Sequence, residues 1–139
     1  MAGPWLLDEH SIALVGSQPG VYVLGRERSG VFYGLYVGRS DNDLKRRLAE
    51  HLPGREANSF IRIYAPDRFA FEYTATAYEA YRMECTLFHA AQYPANLFHP
   101  DPGQHGDWEC PVCGGGPSGV REPVQAYATG QGPSPRALR

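Results

Sequence analysis

The chain has 139 residues, 42% of them hydrophobic and 20% charged, the proportions of a globular protein with one core and not of a disordered segment. Net charge is −2, from thirteen basic and fifteen acidic side chains, so bulk composition alone does not mark a nucleic-acid binder. No apolar run approaches the ~20 residues of a membrane span, and Met1-Ala2-Gly3-Pro4-Trp5 lacks the basic and apolar segments of a secretory signal; a cytoplasmic protein without a membrane partner is expected.

Residues 1–18 read as a lead-in, with a short helix expected around Leu6–Val15. Pro19-Gly20 then opens the run Val21-Tyr22-Val23-Leu24, and Ser29-Gly30 marks a turn before Val31–Val37. Two β-rich runs around a turn signal predict a hairpin. Ser40, with Asp43 three residues on, predicts a helix start, and Pro53-Gly54 stops that helix after Leu52. Phe60–Tyr64 is ambiguous. Phe69–Thr74 alternates large aromatics with smaller or polar groups and predicts a half-buried strand. Thr76 with Glu79 starts a second helix, reaching about Tyr93 before Pro94.

This order predicts an α+β fold: a small three-stranded antiparallel sheet flanked by helices. After Asn96 the composition turns to Gly, Pro, His and Cys. The expected organisation is a lead-in (1–18), a main domain of sheet and helices (19–98), a cysteine-bearing loop packed on it (99–118) and a flexible tail (119–139).

At 100° per residue, Leu44, Leu48 and Leu52 form the apolar stripe of the first helix, with Arg47 and His51 along its edge. Arg39, Lys45, Arg46, Arg47, Arg55, Arg62 and Arg68 fall within thirty residues, enough for a phosphate-facing patch or for a solvated helix face. On the second helix Glu84 lies amid Ala77, Ala80, Tyr81, Leu87, Phe88 and Ala91. A carboxylate there needs a partner, either an arginine such as Arg47 or a hard cation, Mg²⁺ or Mn²⁺.

Three cysteines make an odd count that argues against a disulfide framework. Cys110-Pro111-Val112-Cys113 is a two-cysteine knuckle able to supply half a zinc site. Cys85 and His89, four apart on the second helix, can supply the other half and give a structural Zn²⁺ site. His99 and His105 compete with His89 as fourth ligand.

The elements Gly20-Val21-Tyr22, Tyr36-Val37-Gly38, Arg47-Leu48 with His51, Glu79-Ala80 with Glu84, and Pro94 with Asn96 together resemble the signature of the GIY-YIG nucleases. Valine replaces isoleucine in both tripeptides. Arg47 lies nine residues after Gly38, and the helix geometry selects it over Arg46. The twelve-residue step from Glu84 to Asn96 is similar to that of excision-repair members.

The resemblance implies a metal-dependent endonuclease acting on nucleic acid, DNA by analogy. Glu84 would hold Mg²⁺ or Mn²⁺, Arg47 would stabilise phosphoryl charge, and His51 would position a phosphate or shuttle a proton. Tyr22 would orient or deprotonate water, its pKa depressed by Arg39, with Tyr36 as a second hydroxyl. Arg39, Lys45, Arg46 and Asn96 would contact substrate. The alternative is a non-catalytic nucleic-acid-binding or adaptor module of the same fold. No segment is long enough for a separate recognition domain, so a protein partner for targeting fits either reading.

Overall fold

The computed structural model describes residues 1–115 and the backbone of the pair Arg136–Ala137. The elements are β1 (Ala2–Leu6), α1 (Glu9–Ile12), β2 (Gly20–Arg28), β3 (Val31–Ser40), α2 (Leu44–Ala49), α3 (Ser59–Tyr64), β4 (Arg68–Tyr73), α4 (Ala77–Ala90) and the short β5 (Arg136–Ala137). Nearly all of the expected tail, 119–139, lies outside the described residues.

The sheet is larger than the three strands expected. It has four antiparallel strands in the order β1-β4-β2-β3, with two-residue β5 against the outer edge of β3. The additional strand, β1, comes from the lead-in. Its Gly3-Pro4 pair disguises it, but β1 is an edge strand, where the missing proline N–H need not cost a ladder bond. The helix expected there is only α1, capped by Asp8, whose side chain accepts from the Ser11 N–H at 2.8 Å.

The hairpin of β2 and β3 turns at Ser29 and Gly30, both with positive φ (53° and 78°), the backbone that matches strand twist in a two-residue turn. Central β2 is buried from Gly20 through Gly25 because both of its faces are covered. On one face Tyr22, Leu24, Phe69 and Phe71 pack with Leu44, Leu48, Leu52 and Ile61 of the α2–α3 layer. On the other, Val23, Val37 and Ala70 pack with Tyr93 and with Leu87 and Phe88 of α4.

Helix α2 begins later than expected. Asp43, not Ser40, is its cap, accepting from the Arg46 N–H at 3.0 Å, while the Ser40 hydroxyl accepts from the Asp43 N–H at 2.8 Å. Its regular part stops at Ala49, and i→i−3 bonds from His51 to Leu48 and from Leu52 to Ala49 tighten the last turn, keeping Leu52 on the buried stripe. The ambiguous stretch becomes α3, capped by Asn58. Helix α4 has the expected Thr76 cap and ends at Ala90, earlier than expected. Among the described residues no helix is long and apolar enough to cross a membrane.

Candidate active site

Strand register brings the two tyrosines together. Tyr22 pairs with Gly38 and Leu24 with Tyr36, so both tyrosines project from one sheet face on the short diagonal, with ring centroids 6.3 Å apart. A Cβ at Gly38 would stand 2.5 Å from the Tyr22 hydroxyl; glycine is what lets that ring lie across β3.

Burial separates their roles. Tyr22 is 0% exposed, whereas Tyr36 is partly exposed and lines the groove. Of the two hydroxyl-bearing rings expected at the water, Tyr36 is the one at the surface and Tyr22 the one beneath it. Burial also raises the Tyr22 pKa well above its usual value, the reverse of the depression expected.

Behind the tyrosines lies a chain of hydrogen bonds. The Tyr22 hydroxyl is 2.6 Å from Nε2 of His51, and Nδ1 of the same ring is 2.5 Å from Oε1 of Glu56. A carboxylate only accepts, so Nδ1 carries the proton and Nε2 is left to accept from the tyrosine. Burial lowers the His51 pKa, although Glu56 opposes the shift, so the ring is neutral near pH 7. Glu56 is itself held: its other oxygen accepts from the Asn58 N–H at 3.1 Å, at the cap of α3. No periodicity or motif marks Glu56 in the sequence; its only signal is a carboxylate five residues beyond His51 in a loop.

Arg47 pairs with Glu50 at 2.6 Å on the groove side of α2, and its positive charge faces both tyrosine hydroxyls. The field at Tyr22 therefore comes from Arg47. Arg39, the expected source, pairs in register with Val21 and so projects from the opposite face of the sheet. There its Nη1 donates to Glu84 Oε1 at 2.7 Å and its Nε to Asp41 Oδ1 at 2.7 Å, with the guanidinium 5.1 Å from the Tyr81 ring centroid. Glu84 thus has an arginine partner, Arg39 and not Arg47. Burial raises the Glu84 pKa to about 7, with Arg39 pulling it down. A carboxylate held in that state attracts additional positive charge.

Two clefts flank Tyr36 and Arg47. One of about 680 Å³ is lined by Arg46, His51, Arg55 and Glu56, the other of about 360 Å³ by Arg39, Asp41, Glu84 and Asp101; Tyr36, Arg46 and Arg47 line both. The clefts meet at these three side chains, with the Tyr22–His51–Glu56 chain on one side and the Glu84 carboxylate on the other. Arg46 is exposed where they meet, and Lys45 is not among the residues lining either part.

Asn96, an expected substrate contact, is engaged by the backbone of β3. Its Oδ1 accepts from the Val37 N–H at 2.8 Å and its Nδ2 donates to the Val37 carbonyl at 2.9 Å. Both ends of the amide are engaged by the strand between Tyr36 and Gly38, which clamps the segment after α4 onto β3.

The expected zinc ligands change in one member. His89, His99, Cys110 and Cys113 present ligand atoms all within 4.8 Å of one another, a cluster that could hold a metal. Cys85 is absent from it. It is fully buried with Tyr81 and Cys110. His105 also lies elsewhere, stacked on Trp108 at 3.9 Å and 3.4 Å from Asp41.

No protein-family model and no curated protein matches the chain. Among solved structures it is similar to the GIY-YIG N-terminal endonuclease domain of UvrC from Thermotoga maritima. The form bound to its catalytic divalent cation, magnesium, is 22% identical, with a TM-score of 0.52 over 63% of this chain and 93% of that one. Two tyrosine-to-phenylalanine variants of that domain, each bound to the divalent cation, match at 21% and 22% identity, with TM-scores of 0.52 over 63% of this chain and 92% of theirs. The likeness is one of fold: the chain has a GIY-YIG-like fold.

Proposed function

We propose that the protein is a metal-dependent endonuclease that hydrolyses phosphodiester bonds of nucleic acid, with DNA as the substrate. The observation that carries this reading is the groove itself: Tyr36 and Arg47 stand between a Tyr22–His51–Glu56 relay and the buried carboxylate of Glu84.

The donor chemistry fits a hard divalent cation. Glu84 is a buried oxygen ligand at a groove wall with its pKa lifted by desolvation, and Mg²⁺ or Mn²⁺ characteristically takes one or two carboxylates plus phosphate oxygens and water. When bound, such a cation polarises the scissile phosphate and offsets its charge.

The chain's own residues supply the remainder. Tyr36, at the groove surface, orients the attacking water. The Tyr22–His51 pair beneath it is the acceptor for the proton released: Tyr22 passes its own proton to Nε2 of His51, neutral and in hydrogen-bond contact, as it takes up another. A tyrosine that yields its own proton as it receives one needs no depressed pKa, so the raised value at Tyr22 is compatible with catalysis. Glu56 stabilises the imidazolium that results. Arg47 stabilises charge on the phosphoryl oxygens, and Arg46 attracts the nucleic-acid backbone. The His/Cys cluster lies outside the reacting groove and has no part in these steps.

One observation favours a second reading, a binding or adaptor module without turnover: Arg39 already neutralises Glu84 from within the chain. Labelled single-stranded, duplex and branched DNA, and RNA, incubated with and without Mg²⁺ or Mn²⁺, separate the two. Cation-dependent scission by the wild type and none by Glu84→Gln is expected; binding without scission under every condition would establish the adaptor.

A further inference from the structure

We propose that the protein carries one tetrahedral Zn²⁺, bound by His89, His99, Cys110 and Cys113, which fastens residues 99–115 to α4 and thereby holds one wall of the groove. The site is independent of the nuclease reading, because its ligands and its test stand apart from turnover.

The geometry is that of a site assembled around an ion. Nε2 of His89 and Nε2 of His99 are 3.1 Å apart, and Cys113 Sγ is 3.3 Å from His99 Nε2. A tetrahedron with Zn–N of about 2.0 Å and Zn–S of about 2.3 Å has edges of roughly 3.3–3.8 Å, close to these separations. His99 Nδ1 lies 2.9 Å from the Pro100 carbonyl. A carbonyl only accepts, so Nδ1 bears the hydrogen and the Nε2 lone pair points into the cluster, the outer hydrogen bond usual for a metal-bound histidine.

The cysteines are arranged in the same sense. The Val112 N–H donates to Cys110 Sγ at 3.4 Å, and the knuckle is closed by the Gly114 N–H on the Cys110 carbonyl and the Cys110 N–H on the Gly115 carbonyl, at 2.9 and 2.7 Å. Two sulfurs and two imidazoles are a borderline-soft donor set that suits zinc better than magnesium or calcium. Four protein ligands leave no open position for water, so the site is structural. Cys85, beside Cys110 but outside the cluster, packs behind the site.

The placement gives the staple its consequence. His89 sits on α4 five residues beyond Glu84, and His99 stands two residues before Asp101, which lines the Glu84 side of the groove. His105, farther along the same loop, reaches Asp41 at 3.4 Å. Residues 99–115 contain no helix or strand, so a metal crosslink replaces the constraint that regular structure would supply.

Elemental analysis of the full chain, purified without chelators or metal-bearing resin, is expected to give one zinc per chain; less than about a tenth of an equivalent overturns the proposal. Replacing zinc with Co²⁺ in the wild type is expected to give the d–d bands of tetrahedral cobalt with sulfur-to-metal charge transfer, and an octahedral spectrum overturns it. His99→Ala and Cys113→Ser are expected to lose the metal while Cys85→Ala keeps a full equivalent; the opposite ranking overturns the ligand set. Metal removal is expected to speed amide hydrogen exchange in residues 99–115 and to leave β2 and β3 protected. Unchanged exchange in that loop overturns the staple.

Discussion

The Tyr22 hydroxyl lies 2.6 Å from Nε2 of His51, and the far nitrogen of that ring rests on Glu56. All three side chains are buried, so the tautomer is set by the protein and not by solvent. Glu56 raises the His51 pKa against the larger lowering by burial. Glu56→Gln keeps an oxygen for Nδ1–H but removes the charge. We expect kcat to fall about 10- to 100-fold with KM unchanged, and the acid limb of the kcat–pH profile to move to lower pH. A limb that stays in place, or a change confined to KM, would show that Glu56 only supports the loop.

Arg47 and Arg46 are neighbours on α2 with different surroundings. Arg47 faces the tyrosine hydroxyls, while Arg46 is exposed in the groove. Arg47→Ala should cost roughly 10²–10³ in kcat. Arg46→Ala should instead raise KM and reduce the salt slope of binding by about one. Single-turnover rates and salt-dependent binding on one substrate decide between them; the reverse ranking would reassign the charge-stabilising role to Arg46.

Glu84 couples cation binding to pH. Its folded pKa is raised from 4.5 to about 7, so in the cation-free protein its contribution to stability is full below the ordinary carboxylate range and is lost as pH rises through about 7. A divalent cation competes with that proton. Mn²⁺ affinity is therefore expected to weaken about tenfold from pH 8 to pH 6, as read by calorimetric titration. Glu84→Gln should keep the fold and lose both the binding and its pH dependence. Affinity independent of pH in the wild type would place the cation elsewhere.

The Asn96 clamp on Val37 predicts a stability effect. Asn96→Ala leaves the N–H and the carbonyl of a buried strand residue without the side chain that met them, at a cost of about 2–3 kcal/mol. Asn96→Asp keeps the acceptor for the Val37 N–H but sets a carboxylate oxygen against the Val37 carbonyl, and should be at least as damaging. Urea denaturation measures both. Unchanged stability together with a raised KM would return Asn96 to a substrate contact.

Much of this architecture was legible in the residues taken in order. Alternation and turn residues placed both tyrosines on a hairpin, the spacing of Leu44, Leu48 and Leu52 oriented α2, and Thr76 marked the start of the helix that carries Glu84. These features depend on neighbours a few positions away, and period and capping report them directly. Partnerships across the fold were decided only by the tertiary structure. Glu84 pairs with Arg39 across 45 positions, Tyr22 with His51 across 29, and Asn96 with Val37 across 59. Each choice rests on strand register and on which face of the sheet a helix covers: Arg39 lies opposite Val21, away from the tyrosines, so it meets α4 and leaves their field to Arg47. The same holds at the His/Cys cluster. Cys85 and His89 share a helix face in sequence, but Cys85 is buried against Tyr81 and Cys110, while the chain after α4 folds back to bring His99 to the cluster.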